Sequence, residues 1–242
     1  MTDEMKERSV LFVHGAWVGQ WCWEKLMPFL PPYGIKALAL DLPGHGENQH
    51  QRRVSMQDYV DAVVRFIRER EMVDLVLVGH SMGGVVISKV AEVLPDRLRG
   101  LIYLAGFVLR DGESMLDNVP QPTAERYRRL AEQHPHQMIT MPPEMARKYF
   151  FNEASQEDAA WACARIQPQP FQPFADRVTM GAFAGLSLPR HYFLFERDKA
   201  LPRAYWEEFA RRLGGQPIRL DADHCPMISR PEQLAAALAR LM

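Results

Sequence analysis

The chain has 242 residues, 47% hydrophobic and 24% charged, a size and balance that suit one compact domain with a substantial core and exclude a mostly disordered chain. Lys and Arg together number 29 and Asp and Glu 30, for a formal net charge of -1; so even a balance builds no phosphate-binding surface, and no nucleic acid partner is expected. The longest apolar run, residues 101–109, is about half of the roughly 20 residues a membrane helix needs, so no membrane span is expected.

The opening MTDEMKERSV carries mixed charge and reaches the first apolar run without a long hydrophobic stretch or a small-residue cleavage site. No secretory signal is therefore expected, and the expected location is cytoplasmic. Cys22, Cys163 and Cys225 form an odd, widely spaced set with no CxxC pair. They are expected to be free thiols in a reducing compartment, and no metal site follows from them.

Residues 10–13, 35–40 and 73–78 are short apolar runs, each ended by Gly, His, Asp or Pro. That pattern predicts strands buried on both faces, the mark of a parallel sheet. Residues 55–72 place Met56, Tyr59, Val60, Val63, Val64 and Ile67 three and four apart, which predicts an amphipathic helix. A second helix is predicted over 85–94, stopped by Pro95, and a fourth strand over 101–105. Strand and helix thus alternate, as an α/β fold requires.

From 107 to about 189 the alternation fails. Polar helical stretches such as 123–133, many prolines and a cluster of aromatics replace it, which predicts an inserted helical cap over the sheet. A strand at 191–196, a helix at 202–213, a strand at 217–220 and a helix at 231–241 resume the rhythm. The expected organisation is a core of residues 1–106 and 190–242 around a cap of residues 107–189: a mostly parallel central sheet flanked by helices.

The third strand runs into Gly79-His80-Ser81-Met82-Gly83-Gly84 with a helix after it, the G-x-S-x-G nucleophile elbow in strand-turn-helix context. A serine lifted out of the sheet on a strained turn needs neighbours almost without side chains, and Gly79 and Gly83 meet that need. Serine also needs a base and an orienting acid, which in such a fold follow in the order Ser, acid, His. His224 stands just after the last strand and Asp198 just after the strand at 191–196, both at carboxyl ends. Asp221 and Asp223 are rival acids whose nearness in sequence to His224 hinders either from reaching the far ring nitrogen. An oxyanion needs two N–H donors; Met82 supplies one, and Ala16, in His14-Gly15-Ala16-Trp17 after the first strand, is the expected second. His14 is expected to brace that loop. His45, His80, His134 and His136 are read as structural, Trp17, Trp21 and Trp23 as core or pocket wall, and Cys225 as a buried bystander.

With those residues in place, the chain resembles the α/β-hydrolase superfamily over nearly its whole length. The stretches Phe12-Val13-His14-Gly15-Ala16-Trp17, Trp21-Cys22-Trp23, Val78 to Gly84, Glu196-Arg197-Asp198-Lys199 and Asp223-His224-Cys225-Pro226-Met227 look like the plant methylesterase and hydroxynitrile lyase branch and its bacterial esterase relatives. The resemblance implies a Ser81, Asp198, His224 triad with the amides of Ala16 and Met82 as oxyanion hole, and no cofactor. The lyases of that branch carry Thr where Gly15 stands and Lys where Cys225 stands; cyanide as leaving group needs a nearby cation, so ester hydrolysis is favoured. The Asp41-Leu42-Pro43-Gly44-His45-Gly46 loop is closer to general bacterial hydrolases than to the plant enzymes. The leading expectation is a serine hydrolase of small carboxylic esters, with a small-molecule ester as partner and homodimer formation left open. The alternatives are a hydroxynitrile lyase and a small-molecule receptor on a hydrolase scaffold.

Overall fold

In the computed structural model, which describes residues 8–51 and 53–242, each apolar run of the first hundred residues becomes a strand. The charged residues 1–7, on which the expectation about secretion rests, lie outside the described residues. In chain order, β1 (Arg8–Val13) and β2 (Ile35–Ala39) are followed by α1 (Met56–Glu69), β3 (Leu75–His80), α2 (Gly83–Val93) and β4 (Leu98–Leu104). Next come α3 (Gln121–Gln133), β5 (Met138–Ile139), α4 (Pro143–Tyr149), α5 (Gln156–Cys163), β6 (Gln169–Pro170) and α6 (Gln172–Ala175). The chain closes with β7 (Arg190–Phe195), α7 (Arg203–Arg212), β8 (Ile218–Leu220), α8 (Pro226–Ser229) and α9 (Pro231–Ala239).

Six strands form one sheet in the order β2-β1-β3-β4-β7-β8, with every pairing parallel. Because the strands are parallel, all their carboxyl ends meet at one edge of the sheet. The chain leaves β1 to one side for β2 and returns on the other side for β3, so the connections diverge above β1 and β3 and leave a crevice there. All of β3 is buried, whereas the edge strands β2 and β8 are partly exposed. Two-sided burial thus holds only at the centre of the sheet.

The helix expected over 55–72 forms as α1, with Ser55 as its N-cap. Ser55 Oγ accepts from Asp58 N at 3.2 Å and Asp58 Oδ2 accepts from Ser55 N at 2.7 Å, so two donors otherwise left open by the first turn are satisfied. The six apolar residues named above are its buried face. The following strand starts later than its letters suggest. Glu71 and Asp74 take φ values of 50° and 51°, the chain turns there, and Val73 is left 60% exposed; β3 begins only at Leu75.

Between β4 and β7 the chain builds helices, as its polar periodicity predicts, and also an antiparallel pair that it does not: Met138 opposite Pro170 and Ile139 opposite Gln169. Two-residue strands carry no readable alternation. Buried residues of this segment, among them Ile139, Ala146, Phe151 and Phe174, belong to the same hydrophobic cluster as the sheet.

Candidate active site

Ser81 sits on the turn between β3 and α2 with φ of 51°, a left-handed conformation that costs a non-glycine residue about 1–2 kcal/mol. The turn is held from both sides: Ser81 N donates to Leu104 O at 3.1 Å and Phe107 N donates to Ser81 O at 2.9 Å. The neighbouring glycines are required by contact with backbone. A Cβ on Gly79 would lie 2.6 Å from Gly83 O, one on Gly83 2.5 Å from Val13 O, and one on Gly84 2.7 Å from Phe107 O. Gly84 therefore joins Gly79 and Gly83 as an indispensable gap.

The loop after β1 closes on the elbow, where a Cβ on Gly15 would lie 2.9 Å from Ser81 Cβ. His14 braces this loop, as expected. Its Nδ1–H donates to Gly15 O at 2.8 Å and its Nε2 accepts from Leu42 N at 3.0 Å. Burial pushes its pKa down to about 4, so at neutral pH the ring is neutral with one donor and one acceptor, both used. A trans peptide is planar, so holding Gly15 O also aims the Ala16 N–H on the opposite side. Among the described residues, neither Ala16 N nor Met82 N has a hydrogen-bond partner. Unpaired amides are uncommon in buried segments, and these two lie on the two loops that meet at Ser81.

On the same sheet edge, His224 Nδ1 donates to Asp198 Oδ2 at 2.7 Å, with the two side chains 3% and 0% exposed. A carboxylate at Nδ1 keeps the proton there, so Nε2 is left as the acceptor. Ser81 Oγ and His224 are not themselves hydrogen-bonded; serine and imidazole on facing loops can be brought together by a small movement of either side chain. The rival acids are engaged elsewhere: Asp221 pairs with Arg197 on the surface, while buried Asp223 accepts from Glu153 N at 2.9 Å and Ser229 Oγ at 2.6 Å. Desolvation raises the pKa of Asp223 against those donors.

Aromatic rings confine the imidazole: Trp206 stacks on it at 5.6 Å and Phe150 lies at 5.2 Å between centroids. His80, read from the sequence as structural and directed away from the serine, reaches the same loop. Its Nε2–H donates to His224 O at 2.9 Å, and burial holds its pKa well below the ordinary value. Its nearness to His224 is a tertiary contact with no local sequence signal. Cys225 is buried and its thiol pKa is pushed up by desolvation, which leaves it a bystander.

Beside the site, a cavity of about 750 Å³ opens between α3, α4 and the loop after β7. Tyr127, Leu130, Met141, Met145 and Phe150 line it, and residues 198–203 form its other wall. Ser81 is not part of that wall; Phe150 and Asp198, both of which touch His224, are. Among the described residues no group of His, Cys, Asp and Glu is arranged to hold a metal ion, and no described helix is long and apolar enough to cross a membrane.

The family model for the alpha/beta hydrolase family matches residues 10–237. Among curated proteins, the chain is 26% identical over 253 residues to the putative methylesterase 11, chloroplastic, of Arabidopsis thaliana, covering 99% of this chain but 65% of the relative. It spans less than two thirds of the length of several such plant relatives. It is 27% identical over 245 residues to the carbendazim hydrolyzing esterase of Nocardioides sp. (strain SG-4G), covering 96% of this chain and 99% of that one. A solved structure described as an extracellular alpha/beta-hydrolase from a Paenibacillus species, with structural and functional homology to Tobacco Salicylic Acid Binding Protein 2, superposes with a TM-score of 0.91. Its identity is 25%, covering 96% of this chain and 98% of that one.

Proposed function

Because the chain belongs to the alpha/beta hydrolase family, we propose that it is a serine hydrolase of small carboxylic esters that works through an acyl-enzyme on Ser81. The observation that carries this reading is the His224 Nδ1 to Asp198 bond of 2.7 Å, at the sheet edge where Ser81 stands on its strained turn. The esterase names of the full-length bacterial relative and of the plant proteins support ester hydrolysis as the reaction.

In this mechanism Ser81 Oγ attacks the ester carbonyl while His224 Nε2 takes its proton, and Asp198 stabilises the imidazolium that forms. The carbonyl oxygen becomes an oxyanion between the Ala16 and Met82 amides, each donor worth about 3 kcal/mol in comparable sites. The N-terminal end of α2 adds favourable potential at the same point. As the tetrahedral adduct collapses, the imidazolium returns its proton to the departing alkoxide, and an alcohol leaves. Water then attacks the acyl-enzyme with His224 again as base, and the carboxylic acid and free Ser81 are regenerated.

The segment 107–189 serves in this reading as the cap that selects the substrate, and its Met- and aromatic-lined cavity suits an apolar acyl or alcohol group. The lyase alternative loses support at Cys225, a buried neutral thiol where cyanide departure calls for a cation. Hydrolysis of short nitrophenyl and aryl methyl esters tests the reading. Ser81→Ala is expected to abolish turnover and labelling by a fluorophosphonate; a Ser81→Ala protein that hydrolyses these esters at a comparable rate refutes it.

A further inference from the structure

We infer that Gln169, on β6 in the segment between β4 and β7, is a positioning residue for the oxyanion donor Ala16; the inference rests on the esterase reading above. Gln169 is wholly buried and uses its entire hydrogen-bonding capacity. Its Oε1 accepts from Trp17 N at 3.3 Å and from His45 Nε2 at 2.9 Å. Its Nε2 donates to Tyr59 Oη at 3.0 Å and to Pro170 O at 2.9 Å. Burial lowers the His45 pKa to about 3, so this ring is neutral and gives its one N–H to Gln169.

The consequence lies at Trp17, the residue after Ala16. Trp17 has φ of 63°, a conformation that a bulky side chain keeps only where its surroundings impose it. Among the described residues, its hydrogen bonds and ring contacts all come from the same segment. Gln169 takes its N–H, Gln167 N donates to its carbonyl at 3.0 Å, and its indole Nε1 donates to Ile139 O at 2.9 Å. Its ring packs on Tyr127, Phe150 and Phe174 at 5.6 to 5.7 Å between centroids.

Two rigid peptide planes flank the Ala16 Cα. The scaffold fixes the first, through His14 and Gly15 O; Gln169 fixes the second, through Trp17 N. The first plane carries the Ala16 N–H and sets its direction; the second anchors the far side of the Ala16 Cα, so that the N–H is kept from drifting away from Ser81. The cap segment therefore completes the oxyanion site as well as roofing it, and changes in it alter the rate of reaction in addition to the choice of substrate.

The test compares Gln169→Leu, Gln169→Met, Gln169→Glu and Tyr59→Phe with the parent on p-nitrophenyl acetate, with inhibition by a trifluoromethyl ketone that forms a tetrahedral adduct. Removing an oxyanion donor costs 10²–10³ in kcat and misplacing one somewhat less, so the Leu and Met variants are expected to lose roughly 10- to 100-fold in kcat. KM should stay within about threefold, and ketone affinity should fall by the same factor as kcat. Gln169→Glu retains the acceptor toward Trp17 and is expected to recover most of kcat, and Tyr59→Phe, which removes only the far end of the network, to match the parent. Gln169→Met, of similar length and flexibility, decides the matter if Gln169→Leu does not fold. Parental kcat in the Met variant overturns the inference, as does an equal loss in Tyr59→Phe without rescue by Glu. Assayed alongside, an active Ser81→Ala overturns the esterase reading itself, whereas an inactive one with an unaffected Gln169→Met overturns the positioning role alone.

Discussion

Gly15→Ala measures how closely the first loop must approach the nucleophile. The added Cβ would lie 2.9 Å from Ser81 Cβ, 2.9 Å from His80 Nδ1 and 3.2 Å from His80 O. Ordinary contact begins near 3.4 Å, so loop and elbow must part by about 0.5 Å. The elbow side yields little, because Ser81 is held by Leu104 and Phe107 and His80 by the His224 carbonyl. The loop moves instead and carries the Ala16 N–H away from the oxyanion position. Overpacking of this kind costs about 1–3 kcal/mol, which for a chain of this size lowers Tm by roughly 2–12 °C. A donor displaced without being lost should lower kcat by roughly 10- to 100-fold, with KM within about threefold. Steady-state kinetics on a neutral nitrophenyl ester and thermal denaturation read both quantities. Gly181→Ala serves as control, since nothing lies within 4 Å of its added methyl, and should be silent in both. A Gly15→Ala protein with parental kcat and Tm refutes the reasoning.

Two further outcomes follow from the site. Asp198→Asn keeps an oxygen for Ala200 N, which Asp198 now accepts at 2.8 Å, but it can present an amide to His224 and force the wrong tautomer; kcat should fall roughly 10⁴-fold with the fold intact, and a loss below tenfold would remove Asp198 from its role. Buried His14 and His45, with pKa values lowered to about 4 and about 3, stay neutral while the unfolded chain protonates near 6.5. The unfolded state then binds more protons, so stability is complete above pH 6.5 and declines as pH falls toward 4. Each contributes a loss on the order of 2 kcal/mol at pH 5, to be seen as a drop in Tm between pH 7.5 and 5; a flat Tm over that interval would contradict the neutral, buried assignment.

Some of this molecule is written locally and can be read locally. The α1 cap and buried face depend on spacings within one helix. The elbow depends on five consecutive residues whose glycines meet backbone at 2.5 to 2.7 Å. The order Ser81, Asp198, His224 is readable because each follows a strand, and parallel strands end at one edge. Errors fall where the local signal is thin, as at Val73, an apolar residue spent on a turn, and at the two-residue strands β5 and β6.

By itself, then, the sequence determined the alternating scaffold and the G-x-S-x-G turn at Ser81, and pointed to Asp198 and His224 as its partners, since these rest on periodicity, on residues adjacent in the chain and on strand ends. Only the tertiary structure shows where each of the three carboxylates is carried, because a carboxylate's reach depends on the packed position of its loop: Asp198 to His224, Asp221 out to Arg197, Asp223 back to Glu153. It alone also joined Gln169 to Trp17 across 152 positions of chain, a contact whose direction and length no spacing encodes. Hydrogen bonds between distant segments depend on the packed arrangement of the whole domain, and it is those bonds that hold the ends of the reactive loops.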